Sequence, residues 1–249
     1  MIHTDALIAE ADLLLAPQSF EDYGPNGLQV PNSRPVDTIV TSVSASAQLF
    51  EQAAEAGAQL VLVHHGLWWR GMPQHVDAAL YKRLRPLFVH DIALAAYHLP
   101  LDAHPEIGNN ALLARALGLD GELERFGSVG YAGRFAGEGV PKAELVARVR
   151  DVTGREPLHL DHGPDVVRSL AIVSGGASDD IRIAIAEGHD AFLTGEPAER
   201  VMTMAREGQI HFIAGGHYAT ETFGIRRLGA HLADKFGLRH LFIDDPNPI

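Results

Sequence analysis

The sequence predicts an α/β protein made of two similar α/β domains from an internal duplication, with a metal site in the cleft between them. Three observations carry that expectation. Short apolar runs alternate with helix-like segments along most of the chain, the pattern of βαβ units and a mainly parallel sheet. Two stretches far apart in sequence echo each other. Three apolar runs end in histidine, two of them with a carboxylate four residues further on.

Taken in order, Thr4 is placed to cap a first helix that stops before Pro17. Residues 17–35 hold Gly24-Pro25-Asn26-Gly27 and read as loop. Residues 38–44 are strand-like, 47–56 helix-like and closed by Gly57, 60–63 strand, 80–88 helix and 92–97 strand. Pro105 opens a helix that runs to Leu117 and ends at Gly118. The stretch 125–139, with short apolar pieces between glycines, reads as the entry to a second unit. A helix over 141–152 follows. Alternation then resumes: strand 170–174, helix 180–187, strand 191–194, helix 198–207, strand 211–214, a long helix 218–236 and a last strand 239–243. The predicted domains are 1–125 plus 232–249, and 126–231.

The echo sharpens this division. Val40-Thr41-Ser42-Val43-Ser44-Ala45-Ser46 resembles Ala171-Ile172-Val173-Ser174-Gly175-Gly176-Ala177. At the same offset Ala56-Gly57-Ala58-Gln59-Leu60-Val61-Leu62 resembles Glu187-Gly188-His189-Asp190-Ala191-Phe192-Leu193, which sets His65 opposite Glu196. A second, shorter offset sets His98 opposite His217 and Asp102 opposite Glu221. One deletion after the second strand relates the two offsets. A duplicated pair of this kind places related strand ends opposite each other across a cleft.

The formal net charge is −12 over 249 residues, which argues against a partner bound through nucleic-acid phosphates. A bound cation can still reverse the local field. There are no cysteines, so thiolate metal sites, Cys nucleophiles and disulfides are excluded. The acidic N-terminal segment reads as an amphipathic helix, not a signal peptide, and no run nears the roughly 18 apolar residues of a membrane span. A soluble cytoplasmic protein is the expectation.

The chemistry lies at the strand ends. His64 and His65 close the run Leu60-Val61-Leu62-Val63. Adjacent strand residues point to opposite faces, so the pair suits two ions lying side by side better than one. His98 ends the next run, with Asp102 on the loop expected after Pro100. His217 follows Gly215-Gly216 and stands at i, i+4 from Glu221, one face of a helix that begins at Tyr218. Taken singly, each of these could be a satisfied core or turn residue. Together, histidine and carboxylate without thiolate suit zinc, iron(II), manganese or cobalt. Five such residues serve two ions if one carboxylate bridges, and positions stay open for water, as in catalytic sites.

The strings Gly27 to Val30 (GLQV), Val61 to Gly71 (VLVHHGLWWRG), Tyr97 to Asn110 (YHLPLDAHPEIGNN), Leu193 to Glu196 (LTGE) and Gly215 to Glu221 (GGHYATE) together resemble the Nif-three-like family. That family includes type-2 GTP cyclohydrolase I and the YbgI-type dinuclear metal proteins, and the match runs in order over nearly the whole chain. The resemblance implies two similar α/β domains, a dinuclear site in the cleft and a ring-shaped homohexamer. Carried over by motif, the ligands are His64, His65, Asp102, His217 and a bridging Glu221, holding two divalent ions of iron, zinc or manganese. His98 would stand beside them as the catalytic proton-transfer group. The family's pattern after Thr-Gly is not kept in Glu196-Pro197, so no role is carried to Glu196.

No phosphate-binding G-x-x-x-x-G-K-[ST], dinucleotide G-x-G-x-x-G, H-E-x-x-H or G-x-S-x-G is present. Trp68-Trp69-Arg70 can stack on a base, or form a lid or subunit contact. His159, His162, His211 and the remaining histidines earn no metal role on spacing. The function read from the sequence is a dinuclear metal-dependent hydrolase for a nucleotide-like or phosphorylated small molecule, with type-2 GTP cyclohydrolase activity as its specific form. Its rival is a metal-loaded oligomeric scaffold that binds without turnover.

Overall fold

A computed structural model describes all 249 residues. It is an α/β fold that divides into two compact units, Met1–Leu101 with Gly224–Asp245, and Asp102–Phe223 with Pro246–Ile249.

The first unit is built on a five-stranded sheet in the order Gly27–Val30, Ala93–Ala96, Leu60–His65, Thr38–Ser44, Arg239–Phe242. The last four run parallel and only Gly27–Val30 is antiparallel, against Ala93–Ala96. Val40 pairs with Val61, and Val61 with Leu94, so the central strands are buried along nearly their whole length. Burial on both faces is why Leu60–Val63 and Ala93–Ala96 read as continuous apolar runs rather than alternating ones. Helix Ala47–Glu55 is capped by Ser46, whose Oγ accepts from the Leu49 amide at 3.0 Å. Helix Ala78–Val89 is capped in the same way by Asp77. One orphan donor at each of these helix starts is thereby satisfied. Leu49, Phe50, Leu84 and Leu87 from the two helices pack with Val61, Val63 and Leu94 in one core.

The second unit has a six-stranded sheet in the order Glu124–Phe126, Gly130–Arg134, Ser169–Val173, Ala191–Thr194, His211–Ala214, Leu158–Leu160. The three strands from Ser169 to Ala214 are parallel and the flanking pairs antiparallel. Val140–Pro141 and Val166–Val167 form a separate two-stranded ribbon. Helix Lys142–Thr153 ends at Gly154 and sets Leu145 and Val149 against Leu170, Ile172, Leu193 and Ile213.

Several elements differ from the sequence reading. The second unit begins at Asp102 rather than 126, because helix Asn109–Ala116 packs on strand Gly130–Arg134 and contributes Leu113 and Ala114 to the second core. The chain returns at Gly224 rather than 232, since Phe223 also packs in that core. The tail 246–249 belongs to the second unit, where the Ile249 carbonyl accepts from the Tyr218 amide at 3.1 Å and the Pro248 carbonyl from Arg155 at 2.6 Å. Thr4 is the first helical residue rather than the cap, and its hydroxyl donates to Asn32 instead. The loop 17–35 contains strand Gly27–Val30. Pro100 sits in the first turn of a short helix, Leu99–Ala103, a position where its missing amide costs nothing. The expected long helix 218–236 is two helices, His217–Thr220 and Thr222–Phe236, broken at Glu221. No helix is long and apolar enough to cross a membrane.

Candidate metal centre

In the first unit three histidines converge. One ring nitrogen from each of His64, His65 and His98 lies within 4.8 Å of the other two. His64 and His65 were expected on opposite faces, yet their rings lie 4.7 Å apart. They stand at the very end of strand Leu60–His65, where pleat alternation gives way to the turn at Gly66. A Cβ on Gly66 would sit 2.8 Å from the Ala96 side chain and against Gln29, so only glycine passes there. Gln29 in turn accepts from the Leu67 amide at 2.9 Å and fixes the exit of the chain.

The tautomers of this cluster follow from its partners. His64 is fully buried, and its Nδ1 is 2.9 Å from the Tyr97 carbonyl, which can only accept. The proton is therefore on Nδ1, and Nε2 presents its lone pair. His65 Nδ1 is 3.1 Å from Ser44 Oγ. His98 Nδ1 is 2.7 Å from Asp22 Oδ1, so its Nε2 also presents a lone pair. Asp22 collects three further donors: Asn26 Nδ2 at 2.9 Å, the Leu99 amide at 3.0 Å and the Tyr23 amide at 2.6 Å. Burial pushes the Asp22 carboxyl up, but the His98 and Asn26 hydrogen bonds outweigh it and hold it at about 2. Trp69 meets the His98 ring edge-on, with centroids 5.1 Å apart.

The second unit carries its own set. Asp102 is buried, and its Oδ1 accepts from Asn109 Nδ2 at 2.8 Å and lies 3.3 Å from Ser174 Oγ. Asn110 ties the same region together, donating to the Asp102 carbonyl and accepting from the Ser174 amide at 2.7 Å. His217 Nε2 is 3.1 Å from Glu221 Oε2, and His217 Nδ1 bonds to Glu196 Oε1. Burial pushes His217 down, but Glu221 and then Glu196 more than reverse this and raise it to about 9. Gly175, at φ +67, runs beneath this pair: a Cβ would collide with the Glu221 carboxylate and lie 3.1 Å from His217 Nε2. Its carbonyl accepts from the Gly195 and Glu196 amides at 2.9 and 3.1 Å, which places Glu196 under His217.

The donor set fits divalent cations: buried carboxylate and imidazole, no thiolate, and imidazole tautomers locked by carbonyl and carboxylate partners. The family model for Duf34/NIF3, NGG1p interacting factor 3, matches residues 2–248. The chain belongs to the DUF34/NIF3 family. Among its relatives, a Pseudomonas aeruginosa protein named GTP cyclohydrolase 1 type 2 homolog is 47% identical over 99% of both chains. An Escherichia coli protein of the same name is 44% identical over 92% of this chain and 93% of its own. The solved structure of protein ybgI superposes with a TM-score of 0.95 at 40% identity over 100% of both chains. TTHA1606 from Thermus thermophilus superposes at 0.91 with 37% identity, also over 100% of both.

Within this DUF34/NIF3 chain, all six sequence-predicted site residues fall in the two sets, His64, His65 and His98 in one, Asp102, His217 and Glu221 in the other. Sequence reasoning missed Asp22, Asn26 and Ser44, which orient histidines, and assigned nothing to Glu196, which orients His217. The GNN string carried the only available signal for Asn109 and Asn110, which hold Asp102.

Proposed function

We propose that this chain is a dinuclear metal-dependent hydrolase acting on a nucleotide-like or phosphorylated small molecule, with type-2 GTP cyclohydrolase activity as its specific form. The observation that carries the reading is the pair of complementary donor sets. One offers the imidazoles of His64 and His65, His64 with its Nε2 lone pair presented, the other the buried carboxylates of Asp102 and Glu221 with His217. In this reading His64, His65, Asp102, His217 and Glu221 would hold two ions of iron, zinc or manganese. The names of the bacterial relatives and the parallel strand triplet in each unit support it.

Two such ions would supply Lewis acidity and an activated water when bound. The protein's own groups do the rest. His98 holds or delivers a proton at Nε2 while Asp22, on Nδ1, stabilises the imidazolium that forms. Glu196 keeps the His217 ring turned so that Nε2 serves the site. Trp69, edge-on to His98, borders a groove of about 510 Å³ lined also by Trp68, Met72, Pro73 and Val76. A planar, weakly polar ring is the substrate portion that such walls favour.

The test is to load purified protein with iron, manganese or zinc, count metal per chain, and screen nucleotides, GTP first, and phosphoesters for turnover. About two ions per chain, with activity abolished in Asp102→Ala, is the expected result. Full loading without turnover over the whole screen would make the protein a metal-dependent binding scaffold instead. Light scattering on the same sample checks the homohexamer that the reading includes.

A further inference from the structure

A second cluster of side chains of the types that bind metals, none of them assigned above, lies in the second unit. It consists of His159, Asp161 and His211. Its members come from two strands. Leu158–Leu160 runs antiparallel to His211–Ala214, with His159 opposite Ile213 and Leu160 opposite Phe212. Continuing that register sets Asp161 opposite His211. Residues two apart on a strand share a face, so His159, Asp161 and His211 project together.

The atoms are spaced as ligands of one ion are. His159 Nε2 lies 3.1 Å from His211 Nδ1, and Asp161 Oδ1 lies 3.4 Å from the same nitrogen. Bonds of about 2.0–2.1 Å at tetrahedral angles put neighbouring ligand atoms roughly 3.3 Å apart. His211 is also locked in the required tautomer. Its Nε2 is 2.8 Å from the Pro164 carbonyl, which only accepts, so the proton is there. Nδ1 then carries the lone pair, in keeping with the Gly163 amide pointing at it from 3.3 Å. This is the imidazole–carbonyl arrangement that fixes a metal-binding histidine. The ring is buried, so its orientation is set by the fold. In the chain without an ion, His159 Nε2–H donates to His211 Nδ1; turning His159 to its other tautomer frees the lone pair for a cation. Lys142 lies 2.9 Å from Asp161 and 3.1 Å from Asp165, so its charge has a second acidic partner when Asp161 turns to an ion.

We propose that His159, Asp161 and His211 form an additional mononuclear site for a borderline divalent cation such as zinc or nickel, its remaining position open to water. Two imidazoles and one carboxylate select such ions over magnesium or calcium. The site is independent of the dinuclear reading, because none of its ligands is shared with it.

Metal-stripped protein is dialysed against buffered zinc, and separately nickel, and metal per chain is measured for wild type, His159→Asn, Asp161→Asn and His65→Asn. Wild type is expected to hold one ion per chain more than His159→Asn, and His65→Asn to keep that ion. Asp161→Asn is expected to weaken the extra ion at least tenfold in a chelator competition. Asp161 is exposed, so this variant stays folded even if the strand variant does not. The comparison reads a difference between variants, so it holds whatever number of ions binds elsewhere. Equal stoichiometry and equal affinity in wild type and Asp161→Asn would overturn the proposal and leave His159 and His211 as a hydrogen-bonded pair only.

Discussion

His98 and Asp22 are joined by a partly buried hydrogen bond, Nδ1 to Oδ1 at 2.7 Å, across 76 positions of sequence. The carboxylate is the hub of the loop before strand Gly27–Val30. It accepts from the His98 ring, from Asn26, and from the Leu99 and Tyr23 amides. It therefore joins the loop to the start of helix Leu99–Ala103 while setting the tautomer of His98.

That hub makes stability depend on acid pH. Asp22 is held at about 2 in the folded chain against an ordinary 3.8. Its folded pKa is depressed, so its contribution is fully present above 3.8 and is lost as pH falls towards 2. The difference corresponds to about 2 kcal/mol. Asp22→Asn should then be less stable than wild type by about that amount at pH 5, and the gap should close near pH 2. Urea denaturation of both proteins between those pH values checks it. A gap that stays constant would mean that Asp22 acts through packing alone.

Glu196→Gln separates positioning from ligation. Glu196 bonds to His217 Nδ1, opposite the nitrogen that lies 3.1 Å from Glu221. Loss of a carboxylate behind a metal-binding imidazole costs about 10–100-fold in affinity. Glu196 is partly exposed but helps to raise His217, so the stripped variant should melt slightly below stripped wild type near neutral pH. Chelator competition should show the weakened ion, and calorimetry of the stripped proteins the small stability cost.

Gly175→Ala tests the cradle. The residue has φ +67, and its Cβ would strike the Glu221 carboxylate. The left-handed conformation alone costs roughly 1–2 kcal/mol for an L-residue. At roughly 2–4 °C per kcal/mol for a chain of this size, the melting temperature should drop by about 2–8 °C. Metal uptake should fall as well, because Glu221 is displaced. A variant that melts and loads like wild type would remove Gly175 from the account of the site.

Much of this was legible in the chain, and the part that was not has a common cause. Strands Leu60–His65 and Ala191–Thr194 are buried on both faces, so they appear as the apolar runs Leu60–Val63 and Ala191–Leu193. Gly27–Val30 pairs only on one side, with Ala93–Ala96, and carries too few apolar residues to stand out from its Gly-Pro-Asn-Gly surroundings. His64, His65, His98 and His217 were visible because each interrupts or ends an apolar run. Asp22, Ser44 and Glu196 were not, because each acts through a partner at least 21 positions away, and no local period records such a contact. The same holds for His159 and His211, separated by 52 positions and joined only by strand pairing. The break at Glu221 escaped notice because Thr222 to Phe236 continues the helical period that Tyr218 begins.

Trp69 provides the last test, on substrate class. Its ring stands perpendicular to His98 at 5.1 Å and beside His65 at 5.8 Å, at the edge of the groove lined by Trp68, Met72 and Val76. If that groove takes a nucleobase, stacking on the indole contributes about 1–3 kcal/mol. Trp69→Ala should then weaken GTP binding by roughly 5–150-fold, with metal content unchanged because the indole supplies no ligand atom. Tryptophan fluorescence gives a direct readout in wild type, where GTP should quench emission saturably and ribose 5-phosphate should not. Calorimetric titration of the variant, which has lost the reporter ring, supplies its affinity. Equal affinity of wild type and variant for GTP would place the base elsewhere and leave Trp69 as a wall of the histidine cluster.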